Sequence, residues 1–234
     1  MKLPFTFEQF LDVFRQYNIS VWPMQVLLIV LALVATYFSI FKKPYSDKII
    51  VFILAFLWLW MGVAYHLVYF SSINKAAITF GSLFIMQSLL FFYFGIIKNR
   101  LIFQFNLNKY GVTGIGLVVF ALVVYPLLGY WFGHVYPSSP TFGLPCPTTI
   151  FTFGILLLSS SRMPFTVIII PAIWSIIGFS AAVSLGMKED TVLLIAGFAC
   201  AIMIIYRNKG LKKQTLSEST SALIAVIFHF AFQA

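Results

Sequence analysis

The side chains of this sequence best suited to chemistry are neutral ones. His66 lies toward the end of an aromatic run that also holds Trp58, Trp60 and Tyr65; Trp174 stands in a later apolar run, and Thr148 and Thr149 follow a proline-rich segment. An imidazole inside an apolar run titrates near neutrality, so it can carry a proton, ligate a metal or haem iron, or simply hydrogen-bond a neighbouring helix. His134 sits on the same side of the apolar runs as His66. The two could supply half of a metal site, with only Cys146, Glu189 and Asp190 at hand as further ligands. Cys146 and Cys200 show neither a disulfide framework nor metal-pair spacing, and His229 belongs to a tail with no assigned role. No Ser–His–acid set, paired carboxylates at membrane depth or metalloprotease histidine spacing appears, and the last apolar run has no lysine for a retinal Schiff base. An enzyme is therefore not the expected reading, and no cofactor is expected. A metal, haem or catalytic centre on His66 and His134 is the alternative those residues allow.

Residues 133–149 contain four prolines and no formal charge. Such a segment holds a defined shape, because proline fixes φ and suppresses regular structure. Pro147 suits the first turn of a helix, which would put the Thr148 and Thr149 hydroxyls at its positive end, where an anion or polar substrate group can be held. The plainer reading is a rigid cap over one face.

Long apolar runs must position these groups. The 234 residues are 61% hydrophobic and 9% charged, with mean hydropathy +0.99; a soluble domain is nearer half apolar and a quarter charged. The runs are 21–41, 49–70, 76–97, 112–132, 147–158, 165–185 and 191–206. No Asp, Glu, Lys or Arg lies well inside any of them, as expected where a central charge costs roughly 2.5–3.5 kcal/mol. In lipid such runs have to be helices, because free backbone groups find no partners there. The expected fold is an all-α polytopic membrane bundle of seven transmembrane helices, with no buried carboxylate. The fifth run is short, and the weakly apolar 216–234 leaves room for an eighth span.

Lys42, Lys43, Lys48, Lys98, Arg100, Lys109, Arg162, Arg207, Lys209, Lys212 and Lys213 fall on one side of these runs, against Lys2, Arg15, Lys75 and Lys188 on the other. That bias places the N-terminus outside and the C-terminus in the cytoplasm. The net charge of +9 is scattered over loops, so nucleic acid is not an expected partner. In residues 1–20, Thr6 and Gln9 have capping-box spacing, and Phe7, Phe10, Leu11 and Phe14 recur at helical intervals. This predicts an amphipathic helix on the outer surface, either lying in the interface or plugging the bundle.

An internal repeat is also visible. One offset lays Trp58, Gly62 and Gly81 on Trp174, Gly178 and Gly197, and Asn74 on Asp190. It predicts a parallel three-plus-one-plus-three arrangement: units 21–97 and 147–206, a linker helix 112–132 and a basic tail 207–234. Transporters built on such repeats hold substrate between the halves. Pro126 and Pro171 predict kinks, and Gly129 and Gly133 are spaced for close helix approach.

The run Leu3-Pro4-Phe5-Thr6-Phe7-Glu8-Gln9-Phe10, Tyr17-Asn18, Trp22-Pro23, the segment 58–66, Ile73-Asn74 and the segment 140–154 resemble a family of bacterial multi-pass proteins catalogued as a domain of unknown function, some labelled permease. The resemblance covers residues 3–206. It implies a bacterial inner (cytoplasmic) membrane protein and carries no established activity.

The function expected from these readings is a small-molecule transporter or facilitator, working passively. Trp58, Trp60, Tyr65, His66 and Trp174 would line the site, with Thr148 and Thr149 at its outer mouth. The alternative is a non-transporting membrane factor that binds a partner or lipid through 7–14 and 136–142. Expected partners are the lipid bilayer and a small molecule, with self-association left open.

Overall fold

A computed structural model describes residues 4–231, with side chains described as far as Gln214. Eight helices account for most of these residues. They are α1 (Phe7–Ser20), α2 (Met24–Ile40), α3 (Ser46–Ser72), α4 (Ala77–Ile97), α5 (Lys109–Trp131), α6 (Pro145–Leu157), α7 (Thr166–Leu185) and α8 (Thr191–Ala231). The described residues contain no β-strand, only isolated bridges at Phe103–Ser159 and Phe142–Leu144.

The outward faces are apolar. Leu33 on α2, Val63 on α3, Leu89 on α4, Leu127 on α5, Val183 on α7 and Ile195 on α8 are all exposed. Contiguous apolar surface on this scale belongs against lipid rather than water. The chain is an all-α polytopic membrane bundle. Five helical stretches are long and apolar enough to cross a bilayer: α3, α4, α5, α7 and Lys188–Gln214. α1 and α2 add a sixth if that pair, bent by 85°, is one span.

The first and fifth expected runs therefore take other forms. α2 has 17 residues and meets α1 nearly at a right angle. α6 has 13, and every residue of it except Cys146 is buried. At about 1.5 Å per residue, α6 falls well short of a hydrocarbon core of roughly 30 Å. It is tolerated because α2, α5, α7 and α8 pack around it and keep its ends away from lipid. Two glycines permit the closest of these approaches. A Cβ on Gly154 of α6 would lie 2.8 Å from the Gly114 carbonyl oxygen of α5, and one on Gly114 would lie 2.8 Å from that of Gly154. Gly62 of α3 and Gly81 of α4 cross in the same manner.

α1 begins with the expected capping box. Gln9 N donates to Thr6 Oγ1 at 3.3 Å, and Thr6 N donates to Gln9 Oε1 at 2.9 Å. Val13, Phe14, Tyr17 and Asn18 are buried, so α1 plugs the bundle rather than floating on its surface. Asn18 fastens it to the proline-rich segment: Nδ2 donates to the Pro137 and Ser139 carbonyls at 2.7 and 2.8 Å, and Oδ1 accepts from Thr141 Oγ1 at 2.7 Å.

Other expectations need correction. The charge pattern predicts no buried carboxylate, yet Glu189 and Asp190 are 1% and 4% exposed and Arg207 is 8% exposed. These residues flank an apolar run in sequence, but each meets a partner distant in sequence: Tyr125 for Asp190, His134 for Glu189 and the last carbonyls of α6 for Arg207. Pro126 is preceded by a π-helical turn, Phe120–Val124, whose wider spacing accommodates the missing N–H. Gly129 and Gly133 do not mediate close approach: the nearest atom to a Cβ on Gly129 would be 3.8 Å away, and Gly133 has none within 4 Å. The tail expected at 216–234, with His229, lies outside the residues whose side chains are described. The α8 backbone continues through Ala231.

Candidate functional site

Beneath α1 lies a cavity of about 420 Å³. α1 and the residues before it contribute Phe5, Phe10 and Phe14; α3 gives Tyr65 and Phe70, α4 gives Phe80, and α7 gives Trp174 and Gly178. Pro145, Cys146 and Pro147 close it from the start of α6. Ala76 and Ser180, both exposed, also line it, so it reaches the surface beside the starts of α4 and the end of α7. The wall is aromatic because three apolar helices and the plug each present rings to a space that no side chain fills. Among the described lining residues Asp190 is the single acidic side chain, and no Lys or Arg joins it.

Tyr65 and His66 belong to a π-helical stretch of α3, Met61–Tyr69, a geometry often found at functional sites. His66 is fully buried, and neither ring nitrogen has a hydrogen-bond partner. Its neighbours are rings: Phe84 at 4.6 Å, Trp174 and Tyr65 at 5.1 Å, Phe80 at 5.9 Å and Phe70 at 6.0 Å between centroids. Trp174 in turn packs on Phe84 at 5.0 Å, Phe84 on Trp58 at 4.5 Å, and Trp58 on Phe91 at 6.3 Å. This column of rings leads away from the cavity floor toward the end of α4. Trp58 is pinned within it, its Nε1 donating to Thr152 Oγ1 of α6 at 3.1 Å.

The buried carboxylates occupy the 3-10 turn Lys188–Asp190 ahead of α8. Tyr125 donates its hydroxyl proton to Asp190 Oδ1, and the Cys146 thiol lies beside the same carboxylate. Glu189 Oε1 is 2.6 Å from His134 Nδ1, while its Oε2 is buried without a partner. His134 and His66 thus sit in separate surroundings, one against an acidic turn and the other within rings. Among the described residues no group of three or more His, Cys, Asp and Glu is placed to hold a metal ion.

Of the residues singled out from sequence, Tyr65 and Trp174 line the cavity, and His66 stands directly behind Trp174. Trp58 lies deeper in the ring column. Trp60 faces elsewhere, donating from Nε1 to the Tyr17 hydroxyl at 2.7 Å. Thr148 and Thr149 are fully buried behind the cavity wall rather than at its mouth. Thr148 Oγ1 accepts from Gly143 N at 3.0 Å, and Thr149 Oγ1 is unpartnered. An anion site at the start of α6 loses its donors as well: Pro145 and Pro147 have no N–H, and Thr148 N bonds the Leu144 carbonyl at 3.3 Å. Sequence reasoning assigned no site role to Tyr125 or Phe5, and it gave Asp190 and Phe10 other roles, the first as a possible metal ligand and the second on the amphipathic helix. The offset that aligned Asn74 with Asp190 had pointed at both, and both line the cavity.

A family model described as a family of unknown function, DUF6064, matches residues 7–215. The chain belongs to that family. The match takes in the plug, all of the cavity-lining helices and the ring column. No curated protein and no solved structure matches the chain.

Proposed function

We propose that the protein is a facilitator for a small, largely apolar organic molecule that carries one cationic or hydrogen-bond-donating end. The observation behind this reading is the cavity between α3–α4 and α7–α8, walled by aromatic rings around a single carboxylate. Rings attract an organic cation through their quadrupoles, and Asp190 supplies the one opposite charge. The column from Trp174 to Phe91 acts as a closed gate toward the other face, with α1 as the lid on this one. The cavity lies where the two units of a parallel repeat would meet. In this reading the lid faces outward and the basic face meets the cytoplasm of a bacterial inner membrane, as the lysine and arginine bias favours.

Equilibrium binding of tetraphenylphosphonium to the full chain in nanodiscs tests the site, and its uptake by proteoliposomes tests transport. Saturable binding that weakens about tenfold or more in Asp190→Asn and Trp174→Ala is expected. Binding without uptake would replace the facilitator with a non-transporting binder. No saturable binding, or binding indifferent to both substitutions, would sink the site itself.

A further inference from the structure

A second cavity, of about 320 Å³, lies at the opposite end of α6, on the basic face. Gln104, Asn106, Asn108, Tyr110, Ser160 and Arg207 are among its lining residues, and among the described residues no carboxylate is. Arg207 projects from α8 and is 8% exposed. Its Nη1 donates to the carbonyls of Leu156, Leu157 and Ser159 at 3.4, 3.1 and 2.8 Å, closing the C-terminal end of α6. That contact uses one nitrogen of the guanidinium. The other two, Nε and Nη2, are buried with no hydrogen-bond partner.

Those two nitrogens are a matched pair. The N–H groups of Nε and Nη2 run parallel along one edge of the planar guanidinium, and that edge grips a carboxylate or phosphate with two hydrogen bonds. Capping α6 needs only the opposite side, so it does not account for the free edge. Positive charge gathers around the same ring: the Arg207 guanidinium lies 5.8 Å from the Tyr110 ring centre, and Lys109 Nζ lies 5.3 Å from it. Asp47, the acidic residue in the first turn of α3, is occupied elsewhere, pairing with Lys42 and accepting from Phe103 N at 2.7 Å. The amide and hydroxyl side chains around the cavity add neutral partners for further oxygens.

We propose that this cavity binds a phosphate group, held bidentately by Arg207 Nε and Nη2 once a small movement of the side chain turns that buried edge to the cavity, with Lys109, just outside the lining, adding charge. The group belongs either to an anionic lipid headgroup at the membrane boundary or to a free phosphate; the recognition chemistry is the same. The site stands apart from the aromatic cavity and does not depend on the facilitator reading.

Two arms distinguish the sources. Inorganic phosphate is titrated into delipidated full-length protein by calorimetry. In parallel, protein in nanodiscs of phosphatidylglycerol or phosphatidylcholine is released into native mass spectrometry and scored for retained lipid. Phosphate binding alone assigns a free anion; selective retention of phosphatidylglycerol alone assigns a headgroup; both together assign the phosphate group irrespective of carrier. Arg207→Lys keeps the charge and loses the fork, so binding in the responsive arm falls about tenfold or more. Lys109→Gln keeps the cap on α6 and lowers affinity by roughly threefold through charge alone, and it serves as the test should Arg207→Lys fail to fold. Arg100→Gln, which is outside the cavity lining, leaves binding unchanged. The proposal is overturned if neither probe binds the wild-type chain, if Arg207→Lys binds as well as wild type, or if Arg100→Gln weakens binding as much as Lys109→Gln.

Discussion

The hydrogen bond from Trp58 Nε1 to Thr152 Oγ1, at 3.1 Å, ties the ring column to α6, and its contribution can be worked out in advance. Thr152→Val is nearly isosteric and removes the acceptor. Trp58 and Thr152 are both fully buried, so no water replaces the hydroxyl. An orphaned buried donor costs about 1–3 kcal/mol. Side-chain hydrogen bonds between membrane helices average only about 0.6 kcal/mol, because the unfolded chain in lipid finds other partners, and they reach about 1.7. The sealed geometry here puts Thr152→Val near that upper figure, at about 1.5 kcal/mol. The second bond lost, from Thr152 Oγ1 to the Thr148 carbonyl at 2.8 Å, lies within one helix turn and adds little. Trp58→Phe removes the donor together with part of the ring volume, so it costs more through the void it leaves. The double substitution breaks the shared bond only once and falls short of the sum by about 1 kcal/mol. Reversible unfolding in mixed micelles of increasing denaturing-detergent fraction measures all three variants. Costs that add, with Thr152→Val within a few tenths of a kcal/mol of wild type, would refute the claim that this bond holds the column.

Two further substitutions probe the same core from different sides. Gly154→Ala places a methyl 2.8 Å from the Gly114 carbonyl oxygen and 2.9 Å from Val118 Cγ2, so thermal unfolding should show a loss of about 1–3 kcal/mol, with Gly114→Ala similar and the pair less than additive. His66→Leu deletes two buried nitrogens that have no partners, a gain of about 1–3 kcal/mol, and forfeits roughly 0.5–1.5 kcal/mol of ring contacts. The unfolding midpoint should therefore rise; a fall would mean that the imidazole makes a bond the static structure does not contain.

Hydropathy and charge segregation were enough to read the helices, because lipid allows an apolar run no alternative. The capping box at Thr6 and Gln9 and most helix boundaries were legible too, though not the end of α8, whose backbone runs on through Ala231. What escaped was set by contacts distant in sequence. Nothing local says that α6 is surrounded by four helices, or that Asp190 meets Tyr125, Glu189 meets His134 and Arg207 meets the last carbonyls of α6. The hydroxyls of Thr148 and Thr149 looked like an anion site because a helix start ordinarily offers free N–H groups. The neighbouring Pro145 and Pro147 remove them, and burial is invisible until the fold is known. His66 and His134 looked like partners because one lies toward the end of an apolar run and the other just past one, on the same side. Position along the membrane normal is readable from sequence, whereas position within its plane is not.

The two cavities occupy the two ends of one rigid element. α6 cannot tilt or slide freely, since Gly154 leaves no slack against Gly114 on one side and Cys200 Sγ lies 3.7 Å from the Phe153 carbonyl on another. Its first turn faces the aromatic cavity through Pro145, Cys146 and Pro147, and its last carbonyls are held by Arg207. If the protein is the facilitator proposed above, a passage past the ring column requires α3 and α4 to move against α6, rather than α6 to move within the bundle. α3 has the means in its π-helical stretch, Met61–Tyr69, whose wider hydrogen-bond spacing can revert to α-helix by shifting one residue. Such a shift would re-register the stretch that holds Tyr65 and His66 and rotate the part of α3 beyond it, while the cross-link from Trp58 to Thr152 would have to hold or break. If opening breaks it, Thr152→Val destabilises the closed state and raises uptake of tetraphenylphosphonium even as it lowers stability. If the column instead opens above Trp58, between Trp174 and Phe84, stability falls and uptake does not change.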